Sequence, residues 1–325
     1  MKMQKIANTD LEVSRIAYGC MNIGGNWEDQ PLTGSIRKQA IATVQAALDL
    51  GINFFDHANI YCRGKSEEAF SGLWENSPAL RQKIYLQTKC GIRLNGDPDS
   101  NSPARYDFSR EHILSSVEAS LKRLKTDYLD VLLLHRPDPL VDPEEVARAF
   151  DDLNLSGKVR YFGVSNHTAA QLTLLQKYVR QPIIFNQVEF NLIHTQLLDE
   201  GIVFNQRNPR LTRDEDSLEY CRLHDIILQA WSPLAVGTLT GRKTGKSSDP
   251  LIKAIKQVSK MAREKGVPGE AILIAWILRH PAHIQPVVGT TNPERMRAAC
   301  EGDKVELTRE EWYRLFIAGR GEEIP

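Results

Sequence analysis

The sequence has few cysteines and no spacing that would pair them. Five cysteines occur in 325 residues, at positions 20, 62, 90, 221 and 300, and none forms a C-x-x-C motif. An odd, scattered set of this kind is typical of reduced thiols, so the chain is expected to be cytoplasmic. Histidine and cysteine do not cluster at the spacing of metal ligands either, and no metal is expected.

A charge bias and a long apolar run are also missing. Lysine and arginine number 41, as do aspartate and glutamate, so nothing electrostatic favours nucleic acid or an anionic membrane as partner. The apolar runs are too short to span a bilayer, and segment 1–15 lacks the apolar core of a secretory signal. Hydrophobic residues make up 42% of the chain and charged residues 25%, as in ordinary soluble globular proteins. Nothing in the sequence indicates an oligomeric state.

No Pro- or Ser-rich linker divides the chain, so residues 1–325 are expected to form one domain. Strand and helix patterns alternate, and this alternation predicts a parallel sheet. Eight strands are predicted, near residues 16, 52, 84, 129, 160, 184, 227 and 286. Eight such units over this length favour a closed (β/α)₈ TIM barrel. A hairpin around Asn8-Thr9-Asp10 precedes it, and C-terminal helices are predicted at 293–301 and 308–320. A G-x-G-x-x-G after the first strand is missing, which argues against a Rossmann fold.

Three of the predicted strands end in ionisable residues. These strands close at Asp56, Lys89 and His135. Catalytic residues of such barrels lie at the C-terminal ends of the strands. If the strands are parallel neighbours, the three side chains meet at one mouth, with Tyr61 above them. An aspartate buried there is costly unless something pairs with it.

Each residue also has a structural interpretation. Asp56 could cap a turn, Lys89 could pair with it as a structural ion pair, and His135 could be a core histidine. The agreement of three separate strand ends favours a catalytic site. The residues leave a metal-dependent barrel hydrolase open as an alternative, with His57, His135 and Asp56 as ligands.

In order and context these segments resemble the aldo-keto reductase family almost end to end. Asp56 is followed five residues later by Tyr61, Lys89 follows Gln87-Thr88, and His135 stands in Leu-Leu-His-Arg-Pro-Asp. The details are similar to prokaryotic YdhF-type oxidoreductases of the family. The resemblance implies NADPH-dependent reduction of aldehydes and ketones, with a small-molecule carbonyl as substrate. An NADPH-binding, redox-sensing subunit with little turnover is the alternative within the family.

The resemblance also implies a role for each member of this tetrad. Tyr61 would donate the proton, and the Lys89 ammonium would lower the pKa of the phenol by favouring phenolate. Asp56 would hold the ammonium in place. His135 would donate a hydrogen bond to the carbonyl oxygen.

The resemblance implies cofactor-binding residues at Met21 and along the second half of the chain. Those for the nicotinamide are Ser165, Asn166, Gln187 and Trp231. Those for the pyrophosphate loop are Ser232, Leu234, Gly237 and Arg242, with Lys243 as an alternative cation. Those for the adenosine 2′-phosphate are Gly289, Thr291 and Arg295. Many family members have lysine at the position of Gly289, which leaves Arg295 to clamp the phosphate. Trp27 is expected to shape the substrate pocket.

Overall fold

The computed structural model describes residues 1–203, 206, 216–241 and 249–325. Twelve strands occur in the described part of the chain. They are β1 (Met3–Lys5), β2 (Glu12–Ser14), β3 (Ala17–Gly19), β4 (Phe54–Asp56), β5 (Tyr85–Cys90), β6 (Ile92–Arg93), β7 (Arg105–Tyr106), β8 (Leu129–Leu134), β9 (Val159–Ser165), β10 (Ile183–Glu189), β11 (Ile227–Trp231) and β12 (Gln285–Val288).

Eight of these strands close into a parallel barrel. The order around it is β3, β4, β5, β8, β9, β10, β11 and β12, and β12 pairs with β3 to complete the ring. The eight members and their order are those predicted from the alternating pattern. Strands β1 and β2 pair antiparallel, which confirms the predicted N-terminal hairpin. Its turn uses Asn8 at a φ of 61°, a left-handed conformation that asparagine tolerates well.

Twelve α-helices are described, and most of them connect successive barrel strands. They are α1 (Gly34–Asp49), α2 (Lys65–Phe70), α3 (Leu73–Asn76), α4 (Arg110–Leu124), α5 (Pro143–Leu155), α6 (Ala169–Tyr178), α7 (Gln196–Val203), α8 (Ser217–Leu223), α9 (Asp249–Lys265), α10 (Gly269–Leu278), α11 (Pro293–Cys300) and α12 (Arg309–Arg320). Within the described residues, no helix is long and apolar enough to cross a membrane.

The apolar core has two parts. The larger part packs the helices against the outside of the barrel. The smaller part fills the barrel interior, where Phe54 meets Phe185 edge to face with ring centroids 5.6 Å apart. Ile6, Leu11 and Val13 of the hairpin segment belong to the same interior cluster. The hairpin therefore closes the N-terminal end of the barrel, and the opposite end is left for ligands.

Three local elements differ from the sequence predictions. The apolar spacing of residues 65–76 predicts one helix, but it is interrupted between α2 and α3, where a side chain at Gly72 would meet Ile41 Cδ1 at 2.9 Å. The Asp-, Asn-, Ser-, Pro- and Gly-rich composition of residues 91–108 predicts a loop, but this segment contains the short antiparallel pair β6 and β7. The polar, turn-rich composition of residues 201–214 predicts no regular structure, but helix α7 extends to Val203.

Candidate active site

An ion pair between Asp56 and Lys89 lies at the C-terminal end of the barrel. Asp56 is the last residue of β4, and Lys89 lies on the neighbouring strand β5. The Lys89 Nζ donates to both carboxylate oxygens, at 2.7 and 2.8 Å, and to the His57 carbonyl at 2.9 Å. Lys89 is fully buried and Asp56 nearly so. Removing either partner would leave an uncompensated buried charge, which costs about 3–5 kcal/mol.

The Tyr61 hydroxyl completes the coordination of this ammonium. The Lys89 Nζ donates to the Tyr61 Oη at 3.0 Å. Tyr61 is followed by three left-handed residues, Cys62, Arg63 and Gly64, with φ of 49°, 58° and 87°. This turn is unusual for non-glycine residues, and it fixes where the chain leaves the tyrosine. The Cys62 thiol donates to the Met21 carbonyl at 3.2 Å, which holds the turn against the preceding loop.

His135 directly follows β8 and faces the same cavity as Tyr61. The Tyr61 and His135 rings meet edge to face, with centroids 5.9 Å apart and planes at 79°. The His135 Nδ1 is buried, and within the described residues it has no hydrogen-bond partner. The structure therefore brings the four residues of the predicted tetrad together at one mouth.

Burial dominates the proton equilibria of this cluster. Burial raises the pKa of Tyr61, and Lys89 acts in the opposite direction without reversing it. The net direction is thus opposite to the lowered pKa expected from the sequence, because the desolvation of a phenolate outweighs one paired ammonium. Burial, Lys89 and Arg136 together hold the pKa of His135 well below its usual value, so this imidazole is neutral. Burial also disfavours charge on Lys89, but Asp56 and Tyr61 outweigh it and the pKa of Lys89 is raised.

Four glutamines extend from Asp56 down the barrel axis, and we call them the glutamine chain. Gln87 and Gln187 each donate an Nε2 to Asp56 Oδ1, at 2.6 and 3.0 Å, and to Gln229 Oε1, at 2.8 and 3.0 Å. Gln229 donates to Gln285 Oε1 at 2.9 Å, and Gln285 donates to the Ser14 carbonyl at 2.8 Å.

The strand register produces this alignment. Gln187 lies opposite Gln229 on adjacent strands, and Gln229 lies opposite Gln285. All four glutamines are buried.

The sequence analysis considered only Gln187 of these glutamines, as a cofactor contact, and missed the other three. The available signal was an amide side chain inside each of four predicted strands.

A cavity of about 690 Å³ opens at this end of the barrel. Its lining includes Asp56, Tyr61 and His135, while Lys89 lies behind them. The predicted cofactor residues that line it are Met21, Ser165, Asn166, Gln187, Trp231, Ser232, Leu234, Gly237, Gly289, Thr291 and Arg295. Arg242 and its alternative Lys243 lie outside the described residues.

Hydrogen bonds fix four of the predicted nicotinamide residues relative to one another. The Trp231 Nε1 donates to Asn166 Oδ1 at 3.1 Å, and the Asn166 Nδ2 donates to Ser165 Oγ at 2.8 Å and to the His135 carbonyl at 3.3 Å. Ser165 in turn donates to the Gln187 carbonyl at 2.7 Å. The indole surface is therefore held in place beside the tetrad.

Two predicted residues fall elsewhere. Trp27 is 42% exposed and is not part of the cavity lining, although its carbonyl accepts a hydrogen bond from Arg63 Nε at 3.0 Å. His57, considered above as a metal ligand, packs its ring against Phe70 with centroids 4.7 Å apart. The cation on Asp56 is the Lys89 ammonium, and the described residues contain no group of three or more side chains placed to hold a metal ion.

A parallel eight-stranded barrel with this cluster at its mouth is the architecture of a barrel oxidoreductase, and comparison with known proteins agrees. The sequence profile of the aldo/keto reductase family matches residues 15–318. The chain therefore belongs to the aldo/keto reductase family.

Particular relatives cover nearly the whole chain. A 6-dehydroglucose reductase from Agrobacterium fabrum is 37% identical over 99% of this chain and 100% of its own length. The oxidoreductase YdhF from Escherichia coli is 37% identical over 89% of this chain and 90% of its own. Among solved structures, a glycerol dehydrogenase from Gluconobacter oxydans matches with a TM-score of 0.80 at 24% identity, covering 100% of this chain and 98% of its own, which supports the fold.

Proposed function

We propose that this protein reduces aldehydes and ketones to alcohols with NADPH, and that Tyr61 donates the proton. The observation that carries the proposal is the Tyr61 hydroxyl, which lies 3.0 Å from the Lys89 ammonium in the wall of a cavity of about 690 Å³. The names of two relatives, both 6-dehydroglucose reductases, describe carbonyl reduction.

The raised pKa of Tyr61 is compatible with this role. A phenol with a raised pKa stays protonated near pH 7 and remains ready to donate. The carbonyl oxygen gains negative charge during reduction, and an alkoxide is a stronger base than a phenolate. Proton transfer from Tyr61 to that oxygen therefore forms the weaker of the two bases. Lys89 stabilises the phenolate that is left.

His135 orients the substrate in this proposal. Its imidazole is neutral, so one ring nitrogen carries a proton and can donate it in a hydrogen bond to the carbonyl oxygen. The edge-to-face contact of the Tyr61 and His135 rings supports this role, because both residues line the same cavity and would present their donors to one carbonyl oxygen. Two donors directed at one oxygen define which carbonyl geometry reacts.

The cavity fits a nicotinamide dinucleotide. Trp231 offers a flat surface fixed by Asn166, and Ser165, Asn166 and Gln187 would hold the carboxamide. When bound, the nicotinamide supplies the hydride. Arg295 also lines the cavity and would bind the 2′-phosphate of NADPH.

Tyr61→Phe tests the role of the phenol. We expect wild-type protein to consume NADPH in the presence of 4-nitrobenzaldehyde, and the variant to lose about 10³-fold in kcat because the proton donor is gone. NADPH affinity, measured by calorimetry, should stay near that of the wild type. Tyr178→Phe, at an exposed tyrosine outside the cavity, is the matched control. Tight NADPH binding by a wild type that reduces no carbonyl would contradict the proposal and favour the redox-sensing alternative.

A further inference from the structure

Arg136 is a cation beside the tetrad for which the proposed chemistry gives no role. It follows His135 immediately, it is half-buried, and it lines the cavity. Its Cζ lies 5.6 Å from the centroid of the Trp231 ring. The indole that would face the nicotinamide therefore also contacts this guanidinium.

No protein anion neutralises Arg136 in the part of the chain that the structure describes. Unlike Arg81, Arg123 and Arg160, which all pair with buried carboxylates, Arg136 makes no ion pair or hydrogen bond to a described residue. Among the described residues of the cavity lining, Asp56 is the one carboxylate, and Lys89 engages both of its oxygens. A half-buried guanidinium whose donors have no described partner is well suited to an external oxyanion.

Arg295, the other arginine that lines the cavity, is already assigned to the cofactor. Arg295 lies at the start of α11, next to Thr291 in the segment that would hold the 2′-phosphate. Arg136 instead neighbours His135, one of the two donors to the reacting carbonyl. The anion at Arg136 would therefore belong to the substrate and not to the cofactor.

We propose that Arg136 selects carbonyl substrates that carry a carboxylate, by pairing with that group while Tyr61 and His135 hold the carbonyl. This inference rests on the proposed function, and it adds the substrate class. A planar guanidinium matches a carboxylate through two parallel hydrogen bonds. Contact with Trp231 on one side restricts the direction in which those donors point.

A pair of nearly isosteric aldehydes measures this selection. 4-Carboxybenzaldehyde and 4-nitrobenzaldehyde have similar shapes, and only the first carries a full negative charge. We expect the ratio of their kcat/KM values to fall at least about tenfold in Arg136→Met, because a charge-assisted hydrogen bond contributes about 1.5–3 kcal/mol. Comparing this ratio between the wild type and the variant cancels any loss of activity that both aldehydes share. It also cancels the difference in their intrinsic reactivity.

Three controls accompany this measurement. Arg136→Lys keeps the charge without the planar fork and should give an intermediate ratio. Arg180→Met removes an arginine that is 85% exposed and outside the cavity, and it should leave the ratio at the wild-type value. Added salt should raise KM for the carboxylate more than for the nitro compound.

Binding measurements separate this inference from the proposed function. Calorimetry with 4-(hydroxymethyl)benzoate and with 4-nitrobenzyl alcohol, in the presence of the reduced cofactor, measures dead-end complexes in which no hydride transfer can occur. Arg136→Met should weaken the first at least about tenfold relative to the second. If wild-type protein reduces neither aldehyde but binds the benzoate through Arg136, the proposed function fails and the carboxylate site stands. The inference is overturned if Arg136→Met changes kcat/KM equally for the two aldehydes and affinity equally for the two alcohols. It is also overturned if the variant lowers kcat/KM for neutral glyceraldehyde as much as for 4-carboxybenzaldehyde.

Discussion

The Lys89 ammonium lies 3.0 Å from the Tyr61 hydroxyl, and it lowers the pKa of that phenol more than Asp56 raises it. Replacing Lys89 should therefore raise the pKa of Tyr61 further. We predict that the pH at which alcohol oxidation reaches half of its maximum moves up, because oxidation needs the phenolate. Pre-steady-state rates over a pH series would measure this shift.

The variant for that test is Asp56→Asn combined with Lys89→Met. Lys89→Met alone leaves a buried carboxylate without its cation, which we expect to cost about 3–5 kcal/mol of unfolding free energy. The double variant removes both charges and should recover part of that loss. A residual oxidation rate with the wild-type pH dependence in the double variant would show that Lys89 does not set the acidity of the phenol.

The glutamine chain should stabilise the fold as well as position Asp56. Gln229→Leu leaves Gln285 Oε1 without its buried donor, and we predict a loss of about 1–3 kcal/mol in urea unfolding. Gln229→Glu should lose more, since it also buries a charge. Gln45→Leu, at an exposed glutamine of α1, is the control. Equal stabilities of Gln229→Leu and Gln45→Leu would contradict this prediction.

His57 should make the fold sensitive to acid. Burial, with Lys89 nearby, lowers its pKa to about 3, and neither ring nitrogen has a described partner. The unfolded chain binds a proton at this site below about pH 6.5 and the folded protein does not, so stability falls as the pH drops through that value. The loss should approach about 1.4 kcal/mol per pH unit down to about pH 3.

Urea unfolding between about pH 7 and pH 5 would measure this sensitivity. His57→Phe cannot take up the proton and should show a shallower decline than the wild type. His167, whose pKa burial lowers to about 4, adds a second contribution that the variant retains. His283→Asn, at an exposed residue with a φ of 53°, should keep the wild-type slope. Identical slopes for His57→Phe and the wild type would refute the assignment.

Arg295 should set the preference for NADPH over NADH. We predict that Arg295→Ala lowers the ratio of kcat/KM values for the two cofactors by about 10- to 100-fold, because a charge-assisted contact to the phosphate is lost. Arg297→Ala removes an exposed arginine of the same helix and should leave the ratio unchanged. A ratio unaffected by Arg295→Ala would place the phosphate elsewhere on the chain.

The barrel and the positions of the four tetrad residues could be predicted from the sequence. Asp56, Lys89 and His135 close three predicted strands, and parallel strands bring such positions to one end of a barrel. Helix α7 was missed because Gly201 and the polar residues after it are typical of a turn. The break between α2 and α3 was missed because Ala69, Phe70, Leu73 and Trp74 continue one apolar stripe across it.

The properties that were missed or wrong depend on three-dimensional proximity. The pKa of Tyr61 is raised because the phenol is buried, and the order of residues in the sequence does not show how deeply a side chain is buried. The glutamine chain depends on register between strands that are far apart in sequence, such as Gln87 and Gln229. Arg136 stands in a recognised motif, but its lack of a described carboxylate partner is visible only in the structure.

Lys2 and Arg320 lie on opposite sides of the barrel. The Lys2 backbone amide donates to Asp303 Oδ2 beside the hairpin that seals one pole. Arg320, in the last turn of α12, pairs with Asp199 at 2.7 Å in the segment after β10, on the side where ligands enter. A label attached near Lys2 would therefore leave the entrance clear, whereas one attached near Arg320 would stand beside it.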